Sequence, residues 1–400
     1  MFLESRIEKE LAALRSRVEV PLAIELWNGK RYELGRCPRV TFRLTGASAL
    51  QRFASPDFAE LGEGYVVGDL ELEGPIDEAL RAIEKLARSW GKAAKGRLPR
   101  FAGHAKRSDA EAVRYHYDVS NDFYGLWLDP RMVYSCAYYR SGEENLETAQ
   151  LQKLDHICRK LRLQPGERFL DIGCGWGALV LHAAQKYGVR ATGVTLSVNQ
   201  QLLASERIRA AGLEDRCRVQ LMDYRDVPGE EVFDKIASVG MFEHVGLKNL
   251  PLYFGTIRRL LADGGIAMNH GITSADADSR EVGLGAGKFV EKYVFPHGEL
   301  PHLSRVVREM SAVGLEVMDV ETLRQHYART LRTWSSRLEA KLDAARASAG
   351  EKTTRIWRLY LAGCAHAFER NWVTIHQVLA VKSADPACNP LPWARDYIYI

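Results

Sequence analysis

Five strand ends in this 400-residue sequence carry residue types able to do chemistry. An apolar stretch from Phe169 to Ile172 holds Asp171 and runs into Gly173, Gly175 and Gly177. A second ends in Thr195-Leu196-Ser197, and Gln200 follows. A third is followed by Asp223-Tyr224-Arg225, a fourth by Glu243-His244 and a fifth by His270. Glycines spaced by two let a backbone approach a ligand where any Cβ would collide. A lone histidine at such a place commonly serves structure. An acid and a histidine on adjacent strand ends favour a functional role, and the set is too small to hold a metal.

The elements that position these residues follow from the hydrophobic pattern. Ala178 to Tyr187 reads as a helix opened by the glycine turn, the first unit of a nucleotide-binding sheet. Gly173, Gly175 and Ala178 also satisfy the loose dinucleotide fingerprint, but that site wants an acid at the end of the second strand. The second strand, Val189 to Val194, is followed by no carboxylate. The spacing predicts further strands at Cys217–Leu221, Phe233–Val239, Ile266–Asn269 and Trp372–Val381, with helices over Tyr327–Ala349 and Lys352–Arg370. Strands and helices alternating at this length predict an α/β fold with a mostly parallel, Rossmann-like sheet and helical insertions. In such sheets ligands bind beyond the carboxyl ends of the strands, where the polar residues fall.

Ahead of this sheet, residues 1–90 predict a small α+β domain. A charged helix spans residues 4 to 18, and strands lie at Leu22–Trp27, Arg31–Leu34 and Arg39–Leu44. Asn28-Gly29 forms a turn, Gly62 to Asp69 is turn-rich, and a helix covers Pro75–Ser89. Residues 91–112 form a linker, and 113–400 the larger domain. Residues 88 to 107 hold seven basic residues and no Asp or Glu, with Trp90 and Phe101 interleaved. The segment reads either as a solvated linker or as a contact for an anionic lipid surface. Nucleic acid is not indicated, since no other basic, aromatic-rich element supports it and the net charge is only +4. Seven scattered cysteines without metal-ligand spacing fit a reduced cytosol. The charged N-terminus is unlike a signal peptide, and no stretch has the length of a membrane span.

The glycine loop with Asp171 ahead of it resembles the S-adenosylmethionine site of Rossmann-like methyltransferases. Tyr115–Tyr124, Tyr134–Tyr138, Leu170–Gly177, Thr195–Ser197, Gly240–Gly246 and Lys292–Pro301 together resemble the cyclopropane-fatty-acyl-phospholipid synthase family. The mycolic acid cyclopropane synthases are close relatives, and the likeness spans roughly residues 112 to 382. It implies methyl transfer from S-adenosylmethionine to a cis double bond of an acyl chain, with a bound bicarbonate ion as the base. By resemblance the bicarbonate ligands are Cys136, Glu243, His270, the backbone of Ile272, and Tyr327. The cofactor residues are Tyr134, Ser135, Asp171, Gly173, Gly175, Gly177, Thr195, Leu196, Ser197, Gln200, Asp223, Tyr224 and Arg225. Tyr138, Phe289, Tyr293 and Phe295 are candidates to face the cationic chain, or plain core.

Ser274 to Lys288, with Gly283, Gly285 and Gly287, departs from the family pattern and is expected to act as a lid. The small domain loosely resembles a lipid-associated domain and favours membrane phospholipid as partner, at the inner face of the membrane and from the cytoplasm. The resemblance allows a homodimer. A methylene or methyl-branched product, methylation of a small amine, and a non-catalytic lipid-binding protein are the competing readings.

Overall fold

The computed structural model describes residues 15, 19–47, 49, 52, 58–89, 119–278, 283–296, 298–383 and 390–399. The expectations for residues 4–14 and 16–18, for the basic segment from Trp90 on, and for Tyr115 to Asp118 lie outside the described residues.

Near the N-terminus, β1 (Leu22–Glu25), β2 (Arg31–Glu33), β3 (Val40–Leu44) and β4 (Leu70–Glu73) form a sheet in the order β2-β1-β3-β4. Asn28-Gly29 makes the expected turn, with Gly29 at φ +82° and Asn28 Oδ1 accepting from the Lys30 N–H at 3.0 Å. Two helices, α1 (Phe58–Val67) and α2 (Ile76–Ser89), complete this unit. The turn-rich reading of Gly62 to Asp69 is corrected: Gly62 and Gly64 lie inside α1 and are buried. Their role is close packing, because a Cβ on Gly62 would stand 2.7 Å from the ring of Phe289.

The larger sheet holds β5 (Arg168–Ile172), β6 (Arg190–Thr195), β7 (Cys217–Leu221), β8 (Phe233–Val239), β9 (Leu261–Ser274), β10 (Glu316–Thr322) and β11 (Val373–Val381). Their order is β10-β11-β9-β8-β5-β6-β7. Strands β5 to β9 pair in parallel, while β11 runs antiparallel to both β9 and β10. The strand order reverses beside β5, and the crevice at that switch point is where such sheets bind ligands. Around the sheet stand α3 (Asn121–Gly125), α4 (Leu146–Lys160), α5 (Ala178–Tyr187), α6 (Val198–Ala210), α7 (Leu250–Leu260), α8 (Ala286–Tyr293), α9 (Leu303–Ala312), α10 (Arg324–Glu339) and α11 (Leu342–Glu369).

Three boundaries differ from the sequence reading. Strand β9 continues to Ser274, because its last residues pair with β11 as far as Ser274 opposite Val373. His270 and Ile272 therefore lie within a strand rather than beyond it. Strand β10 was not expected; its mixed polar sequence is half exposed on both faces, and its pairing slips between Val317 and Asp319. The late helices are broken twice: at Gly350, as expected, where φ +80° and ψ 165° are non-helical and divide α11 in two, and also after Glu339, which the sequence reading did not foresee.

The two sheets are tied together through α11. Arg355 pairs with Glu71 at 2.7 Å, and Arg358 donates to the Tyr65 hydroxyl at 2.8 Å. Glu84, buried on α2, lies 3.0 Å from His366 Nε2 and 2.8 Å from Arg370 Nε. Glu63 on α1 meets Lys292 of α8 at 2.6 Å. Gly62 of α1 packs against the Phe289 ring of α8 with no room for a Cβ. Gly62→Leu is expected to force these two helices apart and to destabilise the protein by about 1–3 kcal/mol. Urea unfolding would show it as a lowered midpoint, and an unchanged midpoint would contradict the packing argument.

Candidate active site

Two cavities meet at the carboxyl ends of the parallel strands. The smaller, about 90 Å³, is lined by Gly173, Gly175, Thr195, Leu196, Gln200, Asp223, Tyr224 and Arg225, among others. Each comes from the turn after β5, β6 or β7, or from the start of α6. The turn after β5 is held down by the Gly173 and Cys174 N–H groups, both donating to Val194 O at 3.0 Å. A Cβ on Gly175 would meet nothing within 4 Å of protein and would project into open space. Thr195 Oγ1 bonds Gln200 Oε1 at 2.7 Å, and Asp223 receives two bonds from the Arg225 guanidinium at 2.8 and 2.6 Å. A fixed acid, a fixed amide and exposed backbone suit a nucleoside.

Three expected cofactor residues line neither cavity. Gly177 caps α5 in the left-handed region (φ +79°), and a Cβ there would stand 2.9 Å from Ala204. Ser197 caps α6 by accepting from the Gln200 N–H. Asp171 is buried, and burial raises its pKa to about 7 against the opposing pull of Lys153. These three shape the site rather than bound it. Tyr134 and Ser135 line the other cavity.

That second cavity, about 230 Å³, is walled mostly by apolar and aromatic side chains. It shares Gly240 and His244 with the first. Cys136, Glu243, His270, Ile272 and Tyr327, scattered over almost 200 positions of sequence, all line it. Glu243 sits on a short 3-10 turn (Phe242–His244) after β8. Its Oε1 accepts from the Ile272 N–H at 2.7 Å, and its buried Oε2 has no protein partner. Ile272 was expected to offer its backbone to an anion; its N–H instead holds Glu243. Burial raises the Glu243 pKa to about 7, against the Ile272 hydrogen bond. His270 lies opposite Gln377 in the β9–β11 ladder, and Gln377 Nε2 stands 3.0 Å from His270 Nδ1. With that amide N–H donating, the imidazole proton sits on Nε2, which is buried with no protein partner. Burial, reinforced by Lys153 and Lys160, keeps His270 well below its usual pKa and hence neutral.

The Cys136 thiol is buried, and burial pushes its pKa far above the usual value. Its Sγ lies 3.2 Å from Ala137 O, placed for the thiol to donate to that carbonyl. Of the four aromatic candidates, Phe289 and Phe295 line the cavity. Tyr138 does not: its ring is stacked between His156 at 4.0 Å and His326 at 5.0 Å. Tyr293 instead meets Glu63 of α1 through its hydroxyl. Of the stretch expected to act as a lid, Ser274, Ala286 and Gly287 line the cavity; residues 279–282 lie outside the described residues.

Sequence reasoning missed the supports. Gln150 and Lys153 of α4 are buried beneath the segment that carries Tyr134 to Cys136. Gln150 Nε2 donates to Ser135 O at 2.9 Å, and Lys153 Nζ to Ser135 Oγ at 2.8 Å. Their signal was two polar residues three apart, facing inward with Ala149 and Leu154. Gln377 carried no signal that set it apart from Thr374 and His376, the other polar residues of its mostly apolar strand.

The profile of the mycolic acid cyclopropane synthetase family matches residues 104–378. The chain belongs to that family. It is accordingly an S-adenosylmethionine-dependent methyltransferase with a Rossmann-like α/β fold. A domain of unknown function matches residues 11–95. A probable fatty acid methyltransferase of Pseudomonas putida is 49% identical over 97% of this chain and 98% of its own length. The cyclopropane-fatty-acyl-phospholipid synthase of Escherichia coli K12 is 41% identical over 66% of this chain and 66% of its own. Among solved structures, a mycolic acid cyclopropane synthase complexed with SAH and CTAB superposes with a TM-score of 0.65 and 34% identity, covering 70% of this chain and 99% of that one. A cyclopropane synthase from Mycobacterium tuberculosis gives the same TM-score at 33% identity, over 70% and 100%.

For a member of this family, a buried acid with a raised pKa carries a stability cost of known sign. A folded-state value of about 7 against an ordinary 4.5 means full stability below pH 4.5, lost as pH rises through 7. Glu243→Gln removes the ionisation and is expected to raise stability at about pH 8 by on the order of 3 kcal/mol. Below pH 4.5 the two proteins should melt alike. Equal melting at both pH values would show that Glu243 is not buried as described.

Proposed function

We propose that this enzyme transfers the methyl group of S-adenosylmethionine to a cis double bond of a phospholipid acyl chain and closes a cyclopropane ring with the help of bound bicarbonate. One observation carries the reading. The smaller cavity shares Gly240 and His244 with an apolar cavity that is bordered by two buried polar atoms without protein partners, Glu243 Oε2 and His270 Nε2. Methylation of an amine needs no such pair within an apolar wall. The relatives named for cyclopropane and fatty acid substrates support the same chemistry.

The donor set fits bicarbonate. Glu243, when ionised, accepts a hydrogen bond through Oε2, and neutral His270 donates through Nε2. Bicarbonate has one O–H to give and oxygens to receive, and Tyr327 and Cys136 border the same space. Bound there, the ion would supply the base that takes a proton from the transferred methyl. S-adenosylmethionine would be held by Gly175, Thr195, Gln200, Asp223 and Arg225 in the smaller cavity and would supply the electrophilic methyl group.

The chain's own groups do the rest. An alkene is a weak nucleophile, so the two substrates must be fixed in contact, and the shared wall at Gly240 and His244 does this. Phe289, Phe295 and Tyr360 line the acyl side, keep water from a cationic chain and present ring faces to it. The Cys136 thiol stays protonated and so does not compete for the methyl. Among the described residues no helix is long and apolar enough to cross a membrane. Contact with phospholipid from the cytoplasmic side is therefore proposed as peripheral.

The protein, incubated with S-adenosylmethionine, bicarbonate and vesicles of cis-unsaturated phospholipid, should yield fatty acids heavier by one CH2 with the double bond gone and a saturated ring in place. The same mass gain with an alkene retained would replace the ring by a methylene product, and no gain would overturn the acyl acceptor. His270→Ala and Glu243→Gln are expected to lower turnover about a hundredfold, in the range for a lost charge-stabilising group. Both should bind S-adenosylmethionine in calorimetry as the parent does. Activity should rise as pH passes through about 7, where Glu243 becomes an acceptor. A flat profile between pH 6 and 8 would remove Glu243 from the role assigned to it.

A further inference from the structure

The apolar cavity is not built by the methyltransferase domain alone. Phe42, Leu72, Ile76, Ala79, Leu80 and Ile83, all from the small N-terminal unit, form part of its wall. They come from β3, β4 and one face of α2. Opposite them stand Leu359, Gly363 and Ala367 of α11, spaced three or four apart on one helical face. A Cβ on Gly363 would meet nothing within 4 Å, so the wall is open at that point. Glu243 and His270 border the same cavity where the sheet ends. The chain-binding space therefore has a reacting end, made by the sheet, and a far side, made by the small domain against α11.

That far side is fixed in place. Arg355 holds Glu71 and the Tyr65 carbonyl at 2.7 and 2.9 Å, and Arg358 holds the Tyr65 hydroxyl. Arg370 and His366 flank the buried Glu84. Arg355, Arg358 and His366 are on the same helix that supplies Leu359, Gly363 and Ala367, and Arg370 caps it. A wall pinned by such contacts sets a definite distance from the reacting end. The family profile begins only at residue 104, after the wall residues that the small domain supplies and before Leu359, Gly363 and Ala367, and a mycobacterial cyclopropane synthase is matched over its full length by 70% of this chain. The family match does not need the small domain's half of this wall, so that half is an addition to the methyltransferase fold.

We propose that the small N-terminal domain gauges acyl-chain length, with Leu72, Ala79 and Leu80 setting how much chain fits beyond the double bond. This rests on the acyl reading of the cavity given above. Leu80→Ala enlarges the far side and Ala79→Leu reduces it. Leu72→Ala changes a side chain that is only partly buried, which keeps the test valid if the α2 variants fail to fold.

The test is a competition among phospholipids that carry cis-unsaturated chains of graded length, with products weighed by mass spectrometry. In parallel, displacement of cis-parinaric acid by the corresponding fatty acids reads chain binding without methyl transfer. Leu80→Ala and Leu72→Ala should shift preference toward longer chains by about tenfold, and Ala79→Leu toward shorter ones, the scale of a methylene or two in an apolar pocket. Folded variants with the parent's length profile in both assays would overturn the gauge. If the parent methylates no chain of any length, the acyl reading fails, and the displacement profile still decides whether this wall selects length.

Discussion

A carboxyl group and an imidazole must be kept inside an apolar cavity, and most of the architecture around the site serves that requirement. Each is anchored by one atom and left open at the other. Glu243 is tied through Oε1 to the Ile272 N–H, and His270 faces Gln377 through Nδ1. Both anchors belong to β9 and β11, whose pairing runs unbroken from Ile266 to Ser274. The pairing also explains Gly271. A side chain there would overlap the ring of Phe242, the residue next to Glu243. Close approach of β9 to the turn after β8 is what brings the Ile272 N–H within reach of the carboxylate.

Such an arrangement works against stability. Burying an ionisable acid with a single hydrogen bond leaves its charged form poorly compensated, which is why its pKa moves up toward neutrality. The imidazole is pushed the other way, and both shifts favour neutral groups. The result is a pair that changes its hydrogen-bonding sense near physiological pH, with His270 a fixed donor and Glu243 a group that turns from donor to acceptor. The surrounding core offsets the cost. Trp127, Tyr134, Trp334 and Trp357 pack edge to face or tilted at 5.4 to 6.0 Å and bind α10 and α11 to the segment carrying Cys136.

Much of this was legible in the sequence, and the reasons for the misses are physical. Strand β8 appears at the predicted residues because a central parallel strand buried on both faces reads as a mostly apolar run, and edge strand β7 because its buried Cys217 and Val219 flank exposed Arg218. Glu243 and His270 were found by asking which polar residues end strands, although His270 proved to lie inside one. That error came from Gly271, which reads as a break when isolated but here permits a close crossing. The glycines of α1 misled in the same way, since a helix that must touch an aromatic ring uses glycine for room rather than for a turn. Edge strand β10 escaped because one half-exposed strand carries no clear alternation. Cys136 and Tyr327 could not have been assembled with Glu243 by local pattern, because only the tertiary fold brings them to one cavity.

The placement of the small domain changes how the whole chain is read. From composition it looks like an accessory unit joined by a basic segment, and the natural thought is a membrane tether. Its contacts argue for a closer part in the chemistry. Apolar residues of α2 that would be exposed in an isolated four-stranded unit are instead buried against α11, where Ile76 and Leu80 pack with Ala362. Gly62 lets α1 approach Phe289, a residue of the cavity wall. An element that shares its core with the substrate cavity cannot move away without opening that cavity to water. Water exclusion is what a cationic alkyl chain requires until its proton is lost. The docking of the small domain and the survival of the reacting chain thus depend on the same set of contacts.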